Sequence, residues 1–424
     1  MYKKFLMISM VVLSILSLSV TSFAAKKIEL RMSWWGSETR HRNTLEAIER
    51  YEEMNPDIDI IPEYSGFEGY RNKLFSQIMA GNAPDIFTTV MEWYPDLEDA
   101  DGMVDITGMV DVSGHNPKYV EACSFNGKMY GVNLSVNGIV LNQNVTLLKE
   151  LGVEPLKAPY TWDDMVAKFK EVYEKSDGEV YGAPDFTANI EGMGFDILKY
   201  YGYSKLGYED AFPFNNEKFT IKKEDIQDFL QFFVDLRESN AVAPVDISSM
   251  NDFSANSLLI QRVTAFEINF AGTFGRYQDQ TTDDLQPVPL PVGENGENGD
   301  LARPGLIFSV SKNSKHVNEA TKFIEWFTTS PEAAKILKNC RGVLPTDVQR
   351  ATLLKSGAQL NDIDRKVMSV VDKILERDLK MAYAGPGGNG ELGPIILPEI
   401  SQMIGFGQMS VEEGAEEFMN SIND

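Results

Sequence analysis

Apolar and polar positions alternate from Ile28 to Trp34, with Ile28, Leu30, Met32 and Trp34 set against Glu29, Arg31 and Ser33. This predicts a strand with one buried face, stopped by Trp35-Gly36-Ser37. From Thr39 to Met54 the period changes. Leu45, Ile48 and Tyr51, with Ala47 beside them, make one apolar stripe, and Asn55-Pro56 ends the helix. A second strand is predicted over Ile58 to Pro62. A second amphipathic helix follows over Tyr70 to Ala80, closed by Gly81-Asn82-Ala83-Pro84, and then a third strand over Asp85 to Val90. A β-α-β-α-β series implies a sheet of parallel strands with helices on both faces. In such sheets ligands sit beyond the carboxyl ends of the strands. The loops to inspect are therefore Trp35 to His41, Ser65 to Tyr70 and Met91 to Tyr94.

These loops share a chemistry. Trp34, Trp35, Phe67, Tyr70, Trp93 and Tyr94 supply rings, while Glu38, Arg40, His41, Glu68 and Glu92 supply charged hydrogen-bonding groups. A sugar presents an apolar C–H face and a rim of hydroxyls; rings cover the first and charged groups bond the second. Taken singly, Trp34 reads as core and Tyr70 as packed on its helix. The set, at three successive strand ends, reads as a ligand surface.

Composition adds bounds. A chain of 424 residues exceeds what one core serves, so two lobes are expected. The formal charge of −24 repels nucleic acid and anionic lipid. Residues Met1 to Ala24 carry Lys3 and Lys4, an apolar run from Phe5 to Val20, and Ser22-Phe23-Ala24. That pattern predicts a secretory signal peptide cleaved after Ala24, its apolar run being shorter than a spanning helix needs. Cys123 and Cys340 are expected to be buried free thiols, since a large core does not need a staple.

The run Ser33-Trp34-Trp35-Gly36, then Arg40-His41, Thr44 to Ile48, Tyr51-Glu52 and Asn55-Pro56, resembles the opening of family 1 extracellular solute-binding proteins, the carbohydrate-binding components of ABC importers. The resemblance continues in order through Gly69 to Leu74, Ala80 to Ile86, Asn126 to Val132, Tyr160 to Asp164, Ser309 to Trp326 and Met409 to Ala415. It implies an α/β, two-lobed fold of the type II periplasmic-binding-protein kind, with a ligand cleft between lobes joined by hinge crossings. Lobe 1 would take residues 25–136 and 304–328, and lobe 2 residues 137–303 and 329–424. The implied partners are a carbohydrate and the transmembrane permease of an ABC importer, with the binding protein itself a monomer. The implied location is periplasmic or at the cell surface, and no lipid-bearing cysteine stands at the expected mature N-terminus. Asn133 stands where the family usually has proline.

The second wall of the cleft draws its candidates from Asn137 at the first crossing, Asn269-Phe270 at another strand end, and Tyr383 beside the glycine-rich stretch Gly385 to Glu391. Arg303 joins Arg40 and His41 as a cation that either receives an acidic sugar through bidentate pairing or forms internal salt bridges. Trp162, behind a Thr161 cap, is expected to pack. No cofactor or metal is expected. Gly388-Asn389-Gly390-Glu391-Leu392-Gly393 fits a dinucleotide spacing but follows no strand. His41, His115 and His316 lack metal-ligand spacing. The acidic stretch Gly293 to Asp300 reads as a solvated linker. A secreted glycoside hydrolase is the competing class, because paired carboxyls in an aromatic cleft also suit that chemistry. A binder of a non-sugar solute on the same fold is the third.

Overall fold

The structure, a computed structural model, describes residues 27–188, 193–252, 256–355, 360–386 and 391–422. The expected signal peptide and residues 387–390 of the glycine-rich stretch lie outside the described residues.

Strands Ile28–Trp35, Ile58–Ser65 and Ile86–Thr89 pair in parallel, with Ile28 opposite Ile58 and Met32 opposite Ile86. Helices Glu38–Met54 and Tyr70–Met79 connect them. The first begins where the Ser37 side chain accepts from the Arg40 amide, and the second where Gly69 takes a φ of 74° that side-chain-bearing residues rarely adopt. Leu30, Met32 and Trp34 are buried as the alternation predicts, but Ile28 is only half-buried and Ser33 is buried as well, its Oγ bonded to the Tyr70 hydroxyl. Ile86–Thr89 is buried throughout, as is Ile307–Val310, which returns from far along the chain to pair with it antiparallel. Val132–Asn133 completes this five-stranded sheet.

A second sheet has three strands. Ile139–Asn144 lies between Phe266–Phe270 and Leu285–Pro289, antiparallel to both. Helices Trp162–Lys175, Met193–Ser204 and Lys223–Glu238 share one apolar cluster with this sheet. Thr161 and Asp164 form a capping box, and the buried Trp162 packs as expected, its Nε1 donating to Ser204 Oγ at 3.0 Å.

The apolar residues fall into two clusters, one around each sheet. Ala333, Ala334 and Leu337 of helix Pro331–Leu337 belong to the first cluster, as do Val367, Val371 and Ile374 of helix Asp362–Leu375. The latter helix also packs on strand Leu285–Pro289 of the second sheet. Between the sheets, three stretches of chain lie side by side: Leu134 N–H donates to Leu306 at 2.8 Å and Val136 N–H to Val343 at 2.8 Å.

Cys123 is buried, Cys340 is half-buried, and both are free. The half-exposure of Cys340 departs from the sequence expectation, because it sits in the turn that follows helix Pro331–Leu337 rather than inside either core. The acidic stretch departs further. Glu294 and Asn295 are exposed, but Asn298, Gly299 and Asp300 are buried. Gly299 lies so close to Tyr200 that a Cβ there would stand 2.3 Å from the Tyr200 carbonyl oxygen, and Asp300 Oδ2 accepts from Arg377 Nη1 at 2.8 Å.

Candidate functional site

Where the two sheets meet, a cavity of ≈ 180 Å³ opens. Val90 and Glu92 reach it from the carboxyl end of the third strand. Asn137, Gly138 and Ile139 come from the first crossing, Asp196 and Tyr200 from helix Met193–Ser204, Phe270 from the end of its strand, and Asp300 to Gly305 from the returning chain. A site drawn from both cores and from the segments between them suits ligand capture by lobe movement.

The central group is Arg303. Its Nε and Nη2 donate to Glu92 Oε1 at 3.0 and 2.8 Å, and its Nη1 lies 3.4 Å from Asp196 Oδ2. The charge of Glu92 holds the guanidinium above its ordinary pKa. Its planar face lies over the Phe270 ring, 5.3 Å from the centroid. Lys199 Nζ stands 3.5 Å from Asp196 Oδ1, and burial lowers its pKa. Asp300, pushed up to about 6 by burial, bonds Arg377 through Oδ2, while its Oδ1 has no hydrogen-bond partner among the described residues. Asn137 is fixed by accepting from the Gly138 and Gly272 amides, each at 3.0 Å.

Beside this cavity, on the far side of Glu92 and Arg303, a second hollow of ≈ 10 Å³ is lined by Lys199, Phe212, Phe214, Met381 and Tyr383. The ring of Tyr383 therefore stands near the site, as expected for the second wall, but in the smaller compartment.

The aromatic residues at the first sheet's strand ends do converge. Trp35 lies 5.6 Å from Phe67, 4.8 Å from Tyr70 and 5.5 Å from Trp93, centroid to centroid. Trp35, Tyr70 and Trp93 are buried, and only Phe67 is open to solvent, at 62%. Tyr70 is locked from behind, its hydroxyl donating to Thr88 O at 3.1 Å and bonded to Ser33 Oγ at 2.9 Å. None of these rings lines the cavity; they stand next to Glu92, which does.

Other candidates lie elsewhere. Tyr94 is wholly buried. His41 is buried, accepts from Trp34 Nε1 through Nδ1 at 3.1 Å, and stacks on Tyr64. Arg40 donates to the carbonyls of Trp35 and Cys340 at 3.1 and 3.3 Å. Asn269 is buried and bonded to Tyr277 Oη and the Phe270 amide. Glu38 and Glu68 are exposed. Thus Glu92, Asn137, Phe270 and Arg303 share the cavity, Trp35, Phe67 and Trp93 share the ring cluster, and His41, Tyr94 and Asn269 sit in the cores.

Asp196, Tyr200 and Asp300 also line the cavity and went unrecognised in the sequence. Asp196 and Tyr200 are one helical turn apart on a helix with no loop chemistry to mark it. The glycine ahead of Asp300 was the available signal, since Gly299 permits the close approach that buries that carboxylate.

A model of the bacterial extracellular solute-binding proteins matches residues 35–334. The arabinooligosaccharide-binding protein of Bacillus subtilis is 24% identical over 423 residues, covering 94% of this chain and 91% of that protein. The multiple sugar-binding protein of Streptococcus mutans is 24% identical over 339 residues, 72% of this chain and 73% of that one. Among solved structures, a family 1 extracellular solute-binding protein from Alicyclobacillus acidocaldarius superimposes with a TM-score of 0.77 at 20% identity, over 95% of this chain and 99% of that one. A periplasmic oligogalacturonide-binding protein from Yersinia enterocolitica, in complex with saturated digalacturonic acid, gives 0.71 at 24% identity over 92% and 97%. These structures share the fold described above.

Proposed function

We propose that this chain, which belongs to the bacterial extracellular solute-binding proteins, captures an oligosaccharide between its lobes and presents it to the permease of an ABC importer without transforming it. The observation that carries the reading is the cavity at the meeting of the two sheets, walled by residues of both lobes and of the segments between them. Its polar groups are fixed in advance: Arg303 holds Glu92 and Asp196, two backbone amides hold Asn137, and the buried Asp300 Oδ1 is an acceptor with no hydrogen-bond partner among the described residues. Such groups bond hydroxyls while the Phe270 ring gives a sugar face its apolar contact. The names of the relatives, binders of arabinooligosaccharides and of multiple sugars, support a saccharide cargo.

Glu92 and Asp196, the carboxylates that a glycosidase would need free, are engaged by one guanidinium. That arrangement orients acceptors for hydroxyls and favours binding over turnover. The lobes we propose are residues 25–136 with 304–328, and 137–303 with 329–424, with helix Pro331–Leu337 packing against the first lobe. They close as the three side-by-side segments bend. Among the described residues no helix is long and apolar enough to cross a membrane. We place the mature chain outside the cytoplasmic membrane, after cleavage following Ala24, as a monomer with no affinity for nucleic acid.

Calorimetric titration with oligosaccharides, followed by chromatography of the mixture, tests this reading. Saturable heat with the sugar recovered intact is expected. Release of shorter sugars would make the chain an enzyme, and heat with cationic solutes alone would make it a binder of another class.

A further inference from the structure

We propose, on the reading that the cleft binds a sugar, that its cargo bears no carboxylate, and that the Glu92–Arg303–Asp196 bridge is what excludes uronic acids. An arginine receives a ligand carboxylate through parallel N–H donors presented as a fork. In Arg303 the Nε–Nη2 edge of that fork is taken and the Nη1–Nη2 edge is engaged through Nη1. Nε and Nη2 face Glu92 Oε1 at 3.0 and 2.8 Å, and Nη1 faces Asp196, each of whose oxygens it reaches at 3.4 Å. One face of the guanidinium is covered by Phe270.

The neighbouring cations are engaged as well. Lys199 lies beside Asp196, and Arg377 donates to Asp300 at 2.8 Å and also contacts Tyr200 Oη and Leu290 O. Arg40 is turned away onto two carbonyls. Among the groups that line the cavity, three carboxylates, Glu92, Asp196 and Asp300, stand with the one guanidinium of Arg303, while the cations that balance the rest of their charge, Lys199 and Arg377, lie outside the lining. A uronate entering this wall would meet acceptors where it needs donors, and a like-charge approach in a partly desolvated site is strongly penalised. Hydroxyls fit the same wall, because each can donate to a carboxylate oxygen, and Asp300 Oδ1 is an acceptor with no partner among the described residues.

The test is a glycan array on which each uronate-bearing oligosaccharide is printed before and after reduction of its carboxyls to alcohols, beside chains that are neutral by nature. Bound glycans are then titrated by calorimetry. The proposal expects binding confined to carboxylate-free members, with a preference of at least about 100-fold within any matched pair. An unreduced uronate chain that binds and is lost on reduction overturns the proposal while leaving the sugar reading intact. If no glycan binds, the sugar reading fails and the proposal with it.

The double variant E92Q/D196N removes two like charges and leaves Arg303 facing neutral amide oxygens that hold it more weakly. It should shift the preference within a matched pair at least about tenfold toward the uronate. An unchanged preference in a variant with a wild-type circular dichroism spectrum would remove the bridge as the cause. Single substitution E92Q, which removes the charge facing the Nε and Nη2 edge and leaves Asp196 in place, should move the preference the same way and serves if the double variant does not fold.

Discussion

Two regions stand side by side at the carboxyl end of the first sheet, and they are built on different principles. One is the ring cluster of Trp35, Tyr70 and Trp93 with Phe67 laid over its outer side, assembled from residues within about one β-α-β-α-β unit and closed to solvent except at Phe67. The other is the cavity around Arg303, assembled from five stretches of chain far apart in sequence and held by charges. The first has its polar atoms satisfied from behind, as in the Tyr70 hydroxyl, so its rings have little freedom. The second keeps, at Asp300 Oδ1, an acceptor with no partner among the described residues. The comparison teaches that a set of aromatics at strand ends is not by itself a binding surface. In this protein most of it is buried packing next to Glu92, the residue before Trp93, and Glu92 rather than the rings lines the cavity.

That division predicts a graded series of effects. Trp35→Ala should cost the most stability, about 3–5 kcal/mol by urea denaturation, because the ring is buried against three others. A loss under about 1 kcal/mol would mean that the cluster is loosely packed surface.

Arg303→Ala comes next, at about 2–3 kcal/mol, since it leaves Glu92 and Asp196 without their shared cation. The figure sits at the low edge for broken buried pairs because the side chain is 32% exposed. Sugar affinity should fall in the same variant. Unchanged stability together with unchanged affinity would dissolve the charged half of the comparison.

Glu267, buried beneath the second sheet, supplies a control for polar groups outside the cavity. Burial pushes its carboxyl up to about 7 even though Asn251, Ser257 and Tyr277 donate to it. A carboxyl whose pKa is raised by folding contributes stability that is present below its unfolded value, near 4.5, and is lost as pH rises through about 7. Glu267→Gln should therefore gain about 1–3 kcal/mol relative to the parent between pH 5 and pH 8, read from melting temperatures across that range. A difference that does not vary with pH would place the titrating group elsewhere. Sugar affinity should not follow this titration.

The smallest effect on stability is expected at Phe67. Phe67→Ala should change stability by no more than about 0.5 kcal/mol. It should weaken sugar binding by about 1–2 kcal/mol, as the one ring of the cluster free to meet a ligand. No change in affinity would assign the entire cluster to scaffold.

The first lobe was open to sequence reading because its strands and helices follow one another locally. The alternation from Ile28 to Trp34 and the stripe of Leu45, Ile48 and Tyr51 each report burial within one element, and parallel pairing follows from the order of elements. The return of Ile307–Val310 into that sheet was legible through family resemblance, not through periodicity. Of the residues that line the cavity, Glu92 and Phe270 were within reach as neighbours of predicted strand ends, and Asn137 through the crossing that the family resemblance implies. Asp196 and Tyr200 were not, since their helix is buried on nearly all sides and carries no alternation that marks a cavity-facing edge. His41 and Asn269 were read as ligand contacts for their chemistry. Their hydrogen bonds to Trp34 and Tyr277 depend on tertiary neighbours that residue type cannot report.

The central claim, capture of an intact sugar in a cleft that closes, is tested most directly by small-angle scattering of the mature chain with and without an oligosaccharide identified by array binding. The account predicts a smaller radius of gyration at saturation, with the sugar recovered unchanged from the same sample. An identical radius in both states, or a sugar recovered in pieces, would contradict it.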